Sequence, residues 1–235
     1  MGIAFVPEWD MPVDATPDPH TLPLVPEKAV VLEVNGASVA TLMCTPRELD
    51  VLAIGHLRTS GIIRSIGEVL KLVISPDNAR VSVQCSSGTA SETRPLPNLP
   101  RGETFSLASI SGWAREMFDR AVLRRETGGM HSAGLADRNG LRWFYEDVGR
   151  HNAVDKVIGR GLVDGVNFSR CCLICSGRIA AEMAAKTIAA GIPIFASRSM
   201  PTTAAYEMAI EKGLTMIGRC SSPSPVVYSM GERVT

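Results

Sequence analysis

From Thr127 onward, short apolar runs alternate with helical segments, and this alternation constrains the fold more than any other feature of the chain. The runs LRWFYEDV, CCLICS, IPIFAS and LTMIGRC are separated by HNAVDKVIGRG, RIAAEMAAKTIAAG and PTTAAYEMAIEKG. Short apolar runs between helices of about 10–13 residues imply βαβ units and a largely parallel sheet.

The first half is written differently. KAVVLEVNGASVATLMC holds two apolar-rich runs around Asn35-Gly36, a dipeptide that supplies the positive φ angles of a tight hairpin. In TPRELDVLAIGHLRTSG, Thr45 can cap a helix, Pro46 suits its first position, Glu48 completes a capping box and Gly61 can end it. A second strand pair, EVLKLVIS and RVSVQCS, is joined by PDNA, and SLASISGWAREMFDRAVLRR reads as a helix. Six of the 15 prolines precede residue 27, so residues 1–26 read as an extended arm. The expected organisation is that arm, a β-rich α+β domain over 27–112 with a mobile loop at 86–102, and an α/β domain over 113–235.

Composition narrows the function classes. A chain of 235 residues with 45% hydrophobic content can bury one large core or two small ones. With 24 basic and 24 acidic residues, net charge gives no argument for a nucleic-acid partner. No apolar run approaches the roughly 20 residues of a membrane span, and MGIAFVPEWD lacks a secretory pattern, so the expected location is the cytoplasm. The six cysteines, three of them crowded at Cys171, Cys172 and Cys175, suit reduced and mostly buried thiols. Alternation puts Cys172 and Cys175 on opposite strand faces, a poor arrangement for a shared metal, and no zinc is expected.

Three strand-to-helix turns share one design. Ser176-Gly177-Arg178 follows one strand, Ser197-Arg198 the next, and Arg219 with Cys220, Ser221, Ser222, Pro223 and Ser224 closes the last. In an open parallel sheet, ligands sit beyond the carboxyl strand ends, where free backbone N–H groups favour anions and arginine adds bidentate phosphate contacts. Together the turns read as a phosphate-binding rim; the alternative is that Arg178 and Arg198 pair with Glu182 and Glu207. Two further stretches, TGGMHSAG and EDVGRHNAVDK, place His131 and His151 beside glycine turns and make them catalytic candidates, whereas His20 and His56 read as structural. Cys85, closing RVSVQC, is either a reactive thiol beside a loop or the last inward residue of a strand; alternation with Val81 and Val83 favours the inward position.

The stretches TGGMHSAGLAD, EDVGRHNAVDKVIGRG, the segment from CSGRIAAE to LTMIGR, and EVNGASVATLMCTPRELDVLAIGHL resemble the formate dehydrogenase accessory protein (FdhD) family over residues 26–230. The resemblance implies a cytidine-deaminase-like three-layer α/β fold without its zinc site, and a homodimer. It implies a sulfur carrier that takes sulfur from a cysteine desulfurase as a persulfide. The sulfur passes to the bis-molybdopterin guanine dinucleotide form of the molybdenum cofactor, destined for formate dehydrogenase. It also implies cofactor contacts at Arg219–Ser224. The sequence departs from the family at its Cys-Gly-x-Cys-Gly loop, where Ser87 and Ala90 stand in the cysteine positions, and in the last turn, where CSSPS replaces a basic, glycine-bearing segment. Serine cannot form a persulfide. Three readings follow: a sulfurtransferase using Cys85, a cofactor-binding homologue without persulfide chemistry, and a different small-molecule enzyme using His131 with Glu146 and Asp147.

Overall fold

The computed structural model describes residues 24–86 and 95–235. The first 23 residues and residues 87–94 lie outside it, and with them most of the expected arm, His20, and the Ser87–Ser91 segment.

The first half forms a four-stranded sheet in the order β2-β1-β4-β3. Strands β1 (Lys28–Val34) and β2 (Ala37–Cys44) make the hairpin that Asn35-Gly36 called for, with φ of 50° and 85° at its turn. Strands β3 (Val69–Ile74) and β4 (Arg80–Cys85) pair antiparallel, and β4 runs parallel to β1. Inward residues of these strands pack on helix α1 (Leu49–Thr59) through Leu49, Leu52, Ala53 and Leu57.

Helix α1 starts three residues later than its capping signal predicts, at Leu49 rather than Pro46. Thr45 is held elsewhere: its amide donates to Asp147 Oδ2 at 3.2 Å, and its hydroxyl accepts from the Val148 amide at 3.1 Å. Glu48 takes the N-cap position in a left-handed conformation, φ 49°, and reaches Lys156 rather than closing a capping box. Tertiary bonds to a distant turn outweigh the local cap.

The remaining elements are α2 (Leu107–Arg120), α3 (Val122–Thr127), β5 (His131–Asp137), β6 (Gly140–Asp147), α4 (Arg150–Val163), β7 (Cys172–Cys175), α5 (Ala181–Ala190), β8 (Ile194–Ser197), α6 (Thr203–Lys212), β9 (Thr215–Gly218) and β10 (Val226–Ser229). They build a six-stranded sheet, β10-β9-β8-β7-β5-β6. Apolar residues of α4, α5 and α6 cover one face, and Ile110, Ala114 and Met117 of α2 cover the other. The result is the expected three-layer α/β arrangement. Cys172 and Cys175 fall on opposite faces of the sheet. The residue-112 boundary falls inside α2, which packs on this second sheet.

The sheet is less parallel than the alternation implies. Only β7, β8 and β9 are mutually parallel; β5, β6 and β10 run antiparallel to their neighbours. The Asp137–Gly140 connection is too short for a crossover, so β5 and β6 must form a hairpin. TGGMHSAG, read as a turn, contributes the start of β5 instead. Its small residues have weak strand propensity, but they fit: a Cβ at Gly134 would lie 2.6 Å from Leu141 and 3.3 Å from Met117. The described end of the 86–102 loop is fastened, with the Leu99 amide bonded to Lys212 and Arg233 bonded to the Pro100 and Arg101 carbonyls.

Two helices join the halves. Where α1 crosses α4, a Cβ on Gly55 would lie 1.8 Å from the Asp155 carbonyl oxygen, and one on Gly159 would lie 1.9 Å from that of Val51. The backbones touch directly. Around the crossing, Asp155 is buried against Lys186 Nζ at 2.7 Å, Thr59 Oγ1 at 2.9 Å and His56 Nδ1 at 3.4 Å. Burial pushes the Asp155 carboxyl upward, but Lys186 and His56 more than reverse this and hold it below the ordinary range. His56 is structural, as its sequence setting suggests.

Candidate functional site

The topology gathers sequence-distant motifs on one edge. Because β5 runs antiparallel to β7, its first residue, His131, stands beside the carboxyl end of β7, and the Ser176 amide donates to the Ser132 carbonyl at 2.9 Å. Because β6 returns antiparallel to β5, Asp147 is directly opposite His131, and α4 starts just beyond it. The Arg198 amide donates to the Cys175 carbonyl at 3.2 Å, and the Cys220 amide to the Ser197 carbonyl at 2.9 Å. TGGMH, EDVGRHN, SGR, SRS and GRCSS therefore share one rim.

The residues at this rim have distinct duties. His131 Nδ1 lies 3.2 Å from Ser176 Oγ, which also accepts from the Ser132 amide at 3.0 Å. The Gly177 carbonyl accepts from Ser197 Oγ at 2.5 Å and from Cys175 Sγ at 3.2 Å, so Ser197 shapes the turn from beneath. The Arg150 stem crosses Gly177, where a Cβ would meet Arg150 Cδ at 2.9 Å, and the buried Arg150 Nε has no hydrogen-bond partner among the described residues. Arg178, Arg198 and Arg219 are exposed and carry no ion pair among the described residues. Glu182 faces His151 instead of Arg178, with Nε2 at 3.2 Å but misaligned for a hydrogen bond. The Arg198 guanidinium stacks over Phe118, 5.3 Å from its centroid.

Arg219, at φ 53°, begins the β9–β10 connection that holds Ser221, Ser222, Pro223 and Ser224. Its amide bonds to Ser199, and the Ser222 amide bonds back to Arg219 at 2.8 Å. Cys220 turns its thiol into the core beneath α2.

Electrostatically the rim is a basin of positive charge. Burial, then Arg150, Arg124 and His151, push the His131 ring below its ordinary value, with Asp147 opposing. His151 is lowered by burial, Arg150 and Lys186, against Glu182 and Asp155. The two acids of EDVGR are committed elsewhere. Glu146 accepts from the Leu123 and Arg124 amides at 3.1 and 2.8 Å, fixing the start of α3. Asp147 is fully buried and accepts from Thr45 N, Gly149 N, Asn152 Nδ2 and Lys156 Nζ. Glu146 and Asp147 thus build the site rather than act in it. Arg124 was not legible as a rim residue, because its placement depends on Glu146, which holds the start of α3, and on Phe118, over which both Arg124 and Arg198 lie. A cavity of about 350 Å³ lined by Trp143, Arg142 and Arg170 lies at the other end of these strands, with Arg142 paired to Asp137 and Arg170 to Glu103.

Cys85 lies apart from the rim. It is 7% exposed, on the inward face with Val81 and Val83 as alternation predicts, and its backbone is held by the Asn35 side chain through bonds of 2.9 and 3.1 Å. The register puts it at the Val34 end of the first sheet, whereas Thr45, which touches Asp147, follows the Lys28 end. At a rise of about 3.3 Å per residue the two ends are roughly 20 Å apart. All six thiols are buried. Burial, and secondarily Glu68, raises that of Cys85, and burial pushes Cys44, Cys171 and Cys220 to about 12 and Cys175 to about 11.

The chain is a three-layer α/β protein whose exposed arginines gather at the carboxyl ends of β7, β8 and β9, the edge at which open α/β sheets place their ligands. The FdhD/NarQ family matches residues 25–235, and the chain belongs to that family. It is 33% identical to the sulfur carrier protein FdhD of Methanothermobacter thermautotrophicus, over 89% of this chain and 92% of that one. It is 31% identical to the sulfur carrier protein FdhD of Shouchella clausii, over 90% of each. A crystal structure from Desulfotalea psychrophila, described as that of a formate dehydrogenase accessory protein, superposes with a TM-score of 0.81 at 26% identity, over 89% of this chain and 90% of that one. No helix among the described residues is long and apolar enough to cross a membrane.

Proposed function

We propose that this chain is an accessory protein of formate dehydrogenase. In this reading it receives sulfur from a cysteine desulfurase and passes it to a bis-molybdopterin guanine dinucleotide cofactor held at the rim. The observation that carries the reading is the convergence of five separate segments into one cationic edge, in a chain whose relatives are named sulfur carriers. The ligand's phosphates match the exposed arginines, and Ser176 and His131 supply further hydrogen-bonding groups beside them.

The carrier thiol in this reading is Cys85. The other five thiols, at 0–1% exposure, lie within the cores, whereas Cys85 ends its strand at 7%. Fraying one strand end costs far less than opening a core. Its thiolate would attack the outer sulfur of the desulfurase persulfide; that S–S bond breaks, Cys85 keeps the sulfur as a persulfide, and the desulfurase thiolate leaves. Incubated with a cysteine desulfurase and cysteine, the protein is expected to gain one sulfur on Cys85 by mass spectrometry, and Cys85→Ser none.

The burial of all six thiols favours a second reading, a cofactor-holding homologue without persulfide chemistry. The same experiment decides between them: no added sulfur on Cys85, or equal loading of Cys85→Ser, removes the persulfide step.

A further inference from the structure

We propose that His131 and Ser176 form a proton-coupled anion clamp, so that binding of a phosphate-bearing ligand at the rim draws one proton onto His131. The inference rests on the rim as the ligand site and goes beyond it by giving that site a protonation rule. Its basis is the hydrogen-bond geometry. Ser176 Oγ is pinned by the Ser132 amide at 3.0 Å and lies 3.2 Å from His131 Nδ1. When the neutral ring carries its one proton on Nε2, the tautomer the clamp assigns to the empty rim, the hydroxyl proton points at Nδ1 and is spent inside the protein. When a solvent proton adds to Nδ1, the ring becomes the donor to Ser176 Oγ. The hydroxyl proton then turns outward to the ligand, and a positive ring faces the anion. One proton enters from solvent, none leaves, and the site acquires both a charge and a free donor.

Among the described residues, the charged groups that face His131 come from three elements. Arg150 and His151 approach from α4 and Arg124 from α3, and all three oppose a charge on the ring; Asp147, opposite on β6, favours one but is shared with Lys156. An empty rim therefore keeps the ring neutral near pH 7, and an anion lying among the same cations offsets their repulsion. His131 is the histidine of the clamp because its Nδ1 is the ring nitrogen that faces Ser176 Oγ, whereas His151 faces Glu182. Asp147 itself accepts four bonds within the protein.

The sign of the linkage follows. His131 binds its proton more tightly with ligand present, so affinity is highest on the acid side and falls as pH rises, by at most about tenfold per unit. The test is calorimetric titration of the full chain with two guanosines joined by a 5′,5′-pyrophosphate, whose phosphates keep a constant charge. It is run from pH 6 to 8 in buffers of different ionisation enthalpy. The expected result is uptake approaching one proton per ligand, with affinity declining as pH rises. His131→Gln should bind more weakly, without proton uptake and with a flat pH profile. In the wild-type chain, the imidazole proton resonance of His131 should titrate at higher pH when ligand is present. Binding without uptake, or unchanged uptake in His131→Gln, overturns the clamp alone. Absence of binding at every pH overturns the rim reading and the clamp together.

Discussion

Gly159→Ala is expected to destabilise the protein by about 3 kcal/mol or more, an overpacking cost at the upper end of the usual range. The added carbon would sit 1.9 Å from the Val51 carbonyl oxygen and 2.7 Å from the Gly55 amide nitrogen. These are backbone atoms of α1, so no rotamer change relieves the contact and the helices must separate. Because α4 also carries Arg150 and His151, the same displacement should weaken nucleotide binding at the rim. Gly112→Ala is the control: it lies within α2 with nothing within 4 Å of the new carbon, and should stabilise by about 0.5–1 kcal/mol. Chemical denaturation of the two variants checks this. A Gly159→Ala midpoint equal to wild type would show that α1 and α4 are not in backbone contact.

Lys156→Met should be comparably damaging. Lys156 has 0% exposure and its ammonium lies 2.8 Å from the equally buried Asp147, with Glu48 and the Thr45 and Glu146 carbonyls at 3.3–3.4 Å. Methionine fills the space but leaves the Asp147 carboxylate buried without its counter-charge, a loss of about 3–5 kcal/mol. Adding Asp147→Asn removes that charge while keeping an acceptor for the Thr45 or Gly149 amide, and should recover most of the loss. Denaturation of the single and double variants measures the coupling. A single variant within about 1 kcal/mol of wild type would place the stability of this junction elsewhere. The junction matters for function because Asp147 fixes Gly149, the residue from which α4 and its rim side chains start.

How far the sequence could be read depended on the range of the interactions involved. The Asn35-Gly36 hairpin, the strands and helices from Cys172 to Gly218, and the inward placement of Cys85 follow from local propensity and alternation, and all appear as expected. The Arg178 and Arg198 turns were legible because each ends a strand and opens a helix, whereas the Arg219 turn, expected to do the same, leads from β9 into the antiparallel strand β10. What was not legible depends on partners far along the chain. Thr45 looks like a helix cap until Val148 and Asp147 claim it. His131 looks like a turn residue until Gly134, needed for packing against Leu141 and Met117, proves to lie within a strand. Nothing local marks Gly55 and Gly159 as the helix crossing, and the placement of β5 between β6 and β7 makes an expected parallel sheet mixed.

The most direct test of the account is complementation in bacterial cells that lack their own formate dehydrogenase accessory protein. Expression of this chain is expected to restore formate dehydrogenase activity. A doubly substituted Arg178→Ala/Arg198→Ala chain, produced at the same level and equally stable, is expected to restore little or none. No restoration by the wild-type chain, or full restoration by the double variant, would contradict the assignment of function to the rim.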